Sequence, residues 1–222
     1  MTTATPRPLT IWCNYAFPEP VMSSLLASLG GHKLLLTPDL QKSNLVGGGR
    51  DSQLAEADIA LGQPDPQQII DSPNVRWAHL TSAGYTRYDT PAMRAALSRR
   101  GAALTTSSWV YEEPCAEHVL SFMLALARQL PQMGIEQQTD RAWRQAEHRL
   151  RSHLLTGQTA LLYGYGTIAR RLAELLHPLR MRLTGVRRTV KGDEQIPTVR
   201  TDDADRLLPT ADHVVNILPA GQ

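Results

Sequence analysis

Thr159-Ala160-Leu161-Leu162-Tyr163-Gly164-Tyr165-Gly166-Thr167-Ile168-Ala169 is the stretch that decides the fold. Its first five residues are a near-continuous apolar run of strand length. The run passes directly into Gly-x-Gly-x-x-Ala, after which Ile168, Leu172, Leu175, Leu176 and Leu179 keep helical spacing on one face. Strand, glycine turn and helix in that order form the phosphate-binding unit of a dinucleotide fold. Gly164 permits the tight turn, Gly166 lets the backbone approach a pyrophosphate, and Ala169 lets helix and strand pack closely. The helix N-terminus offers unpaired N–H groups and the positive end of its dipole. Gly164, Tyr165, Gly166, Thr167 and Ile168 are therefore candidate cofactor-binding residues. The bland alternative is a glycine turn with no ligand.

A second apolar strand, Arg182 to Val186, ends at Arg187-Arg188. About 20 residues past the glycines, an acidic side chain would accept from the ribose 2′-OH of NAD. This position holds arginine, and no Asp or Glu follows until Asp193. A guanidinium cannot accept from a hydroxyl but matches a 2′-phosphate, so NADP is favoured over NAD. Arg187 and Arg188 join the candidate cofactor set, against a bland reading as a solvated basic turn. Asp202-Asp203 suits a short helix start. His213 to Pro219 reads as the third strand of the nucleotide half, with Leu218 and Pro219 completing the cofactor set.

Upstream, strand-like and helix-like segments alternate. The strands are Leu9 to Cys13, Leu34 to Leu36 (stopped by Pro38), Asp58 to Gly62, Val75 to Leu80 and Ala102 to Thr105. The helices lie around Val21 to Leu29, over Pro66 to Asp71, and over Pro91 to Arg100, where proline suits the first turn. The pattern is an α/β class, a parallel sheet covered on both faces. We expect one domain over residues 1–107 and a second over 108–222. The second opens with a long helix from Pro114 to Leu130, ended by Pro131. Gln137 to His153 is polar and reads as a solvated helix or loop. Its arginines are interleaved with Asp140 and Glu147 and lack an aromatic platform, which argues against nucleic acid.

Composition agrees with these limits. The chain has 222 residues, 42% of them hydrophobic, and a formal net charge of +2, so no strong steering toward polyanions is implied. No apolar run reaches the roughly 20 residues of a membrane helix, and the N-terminus lacks the core of a secretory signal. Cys13 and Cys115 have no metal or redox spacing and read as buried free thiols in a reducing compartment, the cytoplasm.

Several stretches together resemble the D-isomer-specific 2-hydroxyacid dehydrogenases, a group that includes phosphoglycerate dehydrogenases and glyoxylate/hydroxypyruvate reductases. They are Leu80 to Asp89, Ala116-Glu117-His118-Val119-Leu120, Trp143, Gly164 to Ala169, and Ala211 to Pro219. The resemblance implies a flavodoxin-like substrate domain followed by a partial Rossmann NAD(P)-binding domain. It implies hydride transfer between a nicotinamide cofactor and a small 2-hydroxy or 2-keto acid. Ser82, Ala83 and Gly84 would hold the substrate carboxylate on backbone N–H groups, although a plain turn also wants Gly84. The Trp143 region would belong to the arm of a homodimer.

In the family resembled, a cationic arginine and a histidine paired with a carboxylate do the chemistry, all past the strand ending in Leu218-Pro219. No catalytic residue is assigned here, and the 222 residues alone are expected to bind dinucleotide weakly at best and to be inactive. With three nucleotide strands, Thr159 to Tyr163 would have one edge unpaired. His79, His118 and His213 read as structural, since Glu117 and His118 are adjacent on a helix and point apart. The competing reading is a non-catalytic NAD(P)-binding or dimerising protein of the same fold. A serine hydrolase around Ser82 lacks the Gly-x-Ser-x-Gly elbow.

Overall fold

The computed structural model describes residues 7–218. The chain divides into two compact units, Met1–Ser108 and Trp109–Gln222.

In the first unit the elements run β1 (Thr10–Tyr15), α1 (Glu19–Ala27), β2 (Lys33–Gln41), β3 (Ile59–Gly62), α2 (Pro66–Asp71), β4 (Trp77–Leu80), α3 (Pro91–Arg100) and β5 (Ala103–Thr106). The five strands are parallel in the order β2-β1-β3-β4-β5, the flavodoxin-like doubly wound order. One correction falls on β2, which continues through Pro38 to Gln41. It is the edge strand, where a proline's missing N–H costs no ladder bond, and the pairing shifts register between Cys13 and Tyr15 beside it.

Local chemistry sets the helix ends. The Asp65 carboxylate accepts from the Gln68 N–H at 2.8 Å and the Thr90 hydroxyl from the Met93 N–H at 3.1 Å. Gly101, at φ 60°, ends α3 in the left-handed conformation. Arg100 then donates to the carbonyls of Ile69 and Ile70 at 3.0 and 3.1 Å, satisfying the otherwise orphaned C-terminus of α2. Trp12, Leu54, Ile69, Leu80, Tyr88 and Met93 fill the core beneath. Each such buried side chain contributes about 1.5–3 kcal/mol.

The second unit contains α4 (Glu112–Ala127), α5 (Leu130–Thr139), α6 (Gln145–Arg151), β6 (Thr159–Tyr163), α7 (Thr167–Leu176), β7 (Arg182–Arg187), β8 (Thr198–Arg200), α8 (Thr201–Ala204) and β9 (His213–Asn216). Its strands are parallel in the order β8-β7-β6-β9. This overturns two expectations. The strand at His213 is the fourth of the nucleotide sheet, not the third; β8 is the third. And β6 is paired on both sides, by β7 and β9, so no edge of the glycine-turn strand is left open.

A further correction concerns the long helix, which ends at Ala127. Gln129 turns the chain at φ 57°, and Pro131 sits in the first turn of α5, where its missing N–H is no loss. Proline here starts a helix and does not stop one. The polar stretch after it is accordingly helical in part, across α5 and α6. Ala116, Met123 and Ala127 of α4 pack with Ala169, Leu172 and Leu176 of α7 over β6. Glu113, in the first turn of α4, pairs with Arg171 of α7, with Nη2 to Oε1 at 2.8 Å.

Candidate functional site

The turn after β6 hangs on the end of β7. The N–H groups of Gly164 and Tyr165 both donate to the Val186 carbonyl, at 2.9 and 3.1 Å, and Gly166 N–H donates to Gly164 O at 2.7 Å. Gly164 sits at φ +86°, and a Cβ there would lie 2.8 Å from the Ile217 carbonyl oxygen. Gly166 is the N-cap of α7, with ordinary φ and no side-chain cap. A Cβ on Gly166 would meet nothing nearer than Gly164 O at 3.8 Å, so the space before the helix is open. The first internal bond of α7 in this turn is Arg170 N–H to Gly166 O. The N–H groups of Thr167, Ile168 and Ala169 therefore have no carbonyl one turn back in the helix. An open glycine approach beneath three helix donors that no described residue accepts fits the pyrophosphate of a dinucleotide.

Tyr165 is different. Its N–H is taken by Val186, and its buried ring packs on Gly185, where a Cβ would lie 2.8 Å from the ring. Burial pushes the phenol's pKa up, and its enclosed hydroxyl has no hydrogen-bond partner among the described residues. Tyr165 thus builds the floor of the turn. At the far side, the Leu218 N–H donates to Asn216 Oδ1 at 3.0 Å, and the Leu218 nitrogen lies 3.1 Å from where a Gly164 Cβ would stand. Pro219 lies outside the described residues.

Arg187 ends β7, as the spacing requires, and Arg188 beside it is exposed. Sequence reasoning missed their neighbour Glu194. Arg187 Nη1 donates to Glu194 Oε1 at 3.0 Å, and the N–H groups of Lys191 and Gly192 donate to the same carboxylate at 2.8 Å each. Those backbone donors, ahead of Arg187, hold the Glu194 carboxyl below its usual range. The only signal in the sequence is a glycine two residues before an acid, which marks a turn without naming its partner.

In the first unit, Ser82, Ala83 and Gly84 follow β4 at the carboxyl ends of the strands, where doubly wound sheets gather ligands. The Ser82 hydroxyl donates to Gly84 O at 2.8 Å, Ser107 N–H to Ser82 O at 3.1 Å, and the Ser108 hydroxyl to Ala83 O at 3.5 Å. All three carbonyls are thereby engaged, while among the described residues no backbone carbonyl accepts the N–H of Ala83 or Gly84. The loop presents donors, as a carboxylate requires.

A buried polar network that the sequence did not reveal supports this loop. Gln63 is fully buried; its Nε2 donates to Thr81 Oγ1 at 3.0 Å, and Arg87 donates to its Oε1. Asn14 clasps the Gln63 backbone, donating to its carbonyl at 2.9 Å and accepting from its N–H at 2.7 Å.

The histidines do not converge on either loop. His79 bonds Thr105 and Ser107 at 2.8 and 3.1 Å, with its pKa lowered by burial, and His213 faces Gln158 at 2.8 Å. His118 stacks edge-on against Phe122. His148, passed over in the sequence, is buried against Glu136 of α5 at 2.7 Å, with Arg144 3.5 Å from the same carboxylate. The pair spans two helices, so no local spacing announces it. Among the described residues, no group of His, Cys, Asp and Glu is placed to hold a metal ion, and no helix is long and apolar enough to cross a membrane.

Residues 120–222 match the family model of the D-isomer specific 2-hydroxyacid dehydrogenase NAD binding domain. The resemblance drawn from the sequence is borne out there, as is the α/β fold with its Rossmann sheet. Solved structures agree on the fold. A protein from Pyrococcus horikoshii OT3 matches with a TM-score of 0.73 at 17% identity, covering 97% of this chain and 64% of its own. A D-isomer specific 2-hydroxyacid dehydrogenase family protein from Aeromonas salmonicida matches at 0.67 and 24%, covering 96% and 65%. An NAD-dependent formate dehydrogenase from Staphylococcus aureus, solved with NAD, matches at 0.64 and 19%, covering 95% and 65%. The chain thus spans a little under two thirds of these proteins' length.

Proposed function

We propose that this chain carries the cofactor-phosphate turn and the substrate-carboxylate loop of an NAD(P)-dependent oxidoreductase acting on a D-2-hydroxy acid or its 2-keto acid. The first unit serves the substrate and the second the cofactor. The observation that carries the reading is the open Gly166 at the N-terminus of α7, with Gly164 forced into its turn by Ile217.

Thr167 and Ile168 N–H groups hold the pyrophosphate, aided by the helix dipole, which is worth about 0.3–1 kcal/mol per favourable charge at an exposed site. Arg187 and Arg188 favour a 2′-phosphate, and hence NADP over NAD. Leu218 borders the turn from the end of β9. Ala83 and Gly84 N–H groups, with Ser82 fixing the loop, orient the substrate carboxylate. A bound nicotinamide supplies or accepts the hydride. No residue is assigned to proton transfer.

The same reading makes the protein a homodimer. Its support is the set of exposed apolar side chains on α4 to α6 and their connection, among them Phe122, Leu126, Ile135, Trp143 and Leu150. The buried, unpaired Cys13 agrees with a reducing cytoplasm. The experiment is amide mapping by nuclear magnetic resonance. NADP should shift Gly166, Thr167 and Ile168 most strongly, and a 2-hydroxy acid should shift Ala83 and Gly84. Perturbations scattered away from both loops would defeat the proposal.

A further inference from the structure

The two arginines at the end of β7 suggest a strong grip on phosphate, but Arg187 does not face solvent as an unmatched charge. Its Nη1 is 3.0 Å from Glu194 Oε1, and the Glu194 side chain is only 5% exposed. Glu194 is itself fixed. Lys191 and Gly192 donate their N–H groups to it at 2.8 Å, and Gly192, at φ +87°, folds the loop back on β7. Swinging the carboxylate away would break three hydrogen bonds at once, from Arg187, Lys191 and Gly192. The loop therefore sets a fixed negative charge against the group that a 2′-phosphate needs.

We infer that Glu194 is a specificity-determining residue, which holds Arg187 and narrows the preference for a 2′-phosphorylated adenosine over an unphosphorylated one. The inference rests on the dinucleotide reading above and deepens it. A phosphate dianion entering this corner must share one guanidinium with a carboxylate that two backbone donors hold in place, and the two anions repel. An unphosphorylated ribose meets no such conflict, and the carboxylate can accept from its hydroxyl. The arginine pair alone reads as an NADP site. Arginine plus a pinned glutamate reads as a site with a modest margin between the two cofactors.

The test is calorimetric titration of the 222-residue chain with adenosine 2′,5′-bisphosphate and with 5′-AMP. The wild-type chain should prefer the bisphosphate by no more than about tenfold, the scale of one partly compensated charge contact. Glu194→Gln keeps the shape and an acceptor but removes the charge. It should strengthen bisphosphate binding about tenfold and leave 5′-AMP within about twofold. A weaker grip on the bisphosphate in Glu194→Gln would overturn the inference, because Glu194 would then be orienting Arg187 for the phosphate. So would an equal gain for both nucleotides, or a wild-type preference above about a hundredfold. The wild-type ratio decides the matter even if the variant does not fold. If the wild-type chain binds neither nucleotide, the dinucleotide reading itself fails and the inference falls with it.

Discussion

Gly164 and Ile217 are locked together: a single Cβ on the glycine would stand 2.8 Å from the isoleucine carbonyl oxygen and 2.9 Å from its carbon. The turn after β6 is thus shaped by the chain leaving β9 as well as by its own sequence. The two glycines of the motif consequently do different work.

Gly164→Ala should destabilise the second unit by at least about 2 kcal/mol, combining a positive φ with a backbone clash. Gly166→Ala has ordinary φ and open space, and should change stability by less than about 1 kcal/mol while weakening nucleotide binding. Denaturant unfolding of the two variants, side by side, checks the contrast. Equal destabilisation would contradict it.

Tyr165 carries a hydroxyl that burial strips of water without giving it a partner among the described residues. An unsatisfied buried group costs about 1–3 kcal/mol, whereas removing it restores an apolar contact. Tyr165→Phe should therefore leave stability unchanged or raise it by about 1 kcal/mol. Thermal melts decide; a clear fall in Tm would mean that the hydroxyl has a partner.

Gln63 is the opposite case, since both ends of its side chain are hydrogen-bonded out of reach of solvent. Gln63→Leu should cost about 1–3 kcal/mol by taking away the acceptor that Arg87 meets and one of the hydrogen bonds of Thr81, which keeps Asn44 at 2.9 Å. It should also loosen the Ser82 to Gly84 loop, seen as faster amide exchange at Ala83 and Gly84. Unchanged exchange there would separate the network from the loop.

Asp58 ties the start of β1 to the start of β3, accepting from Arg7 and from the Thr10 N–H at 2.8 Å. The hydrogen bond from Arg7 is the first cause holding its carboxyl below the usual range, against its burial. Because the folded-state pKa is depressed, the stabilisation is present above the unfolded value of about 4 and is lost as pH falls through the folded one. Asp58→Asn should be less stable than wild type at neutral pH, and the gap should close in acid. A gap independent of pH would refute the assignment.

What the sequence disclosed and what it hid divide along physical lines. β1, β3 to β7 and β9 announce themselves as apolar runs, because strands covered on both faces must be apolar along their length. β8 does not, since Thr198-Val199-Arg200 is three residues long and follows Pro197. Missing it misnumbered β9 and left β6 with a false open edge. Pro38 and Pro131 misled because a proline's effect depends on whether its absent N–H has a partner, which sequence does not show. In the candidate site, the glycine turn was legible from spacing alone. Glu194 beside Arg187, and Gln63 beneath Ser82, were not, because folding brings them together from separate turns and strands.

The most direct test of the central claim, that the turn between β6 and α7 binds a nicotinamide dinucleotide, is calorimetric titration of the chain with NADP, repeated on Gly166→Val. Weak but saturable one-to-one binding by the wild-type chain is expected, lost when a branched side chain fills the approach to the helix N-terminus. Binding that survives Gly166→Val unchanged, or no binding by the wild-type chain, would contradict it.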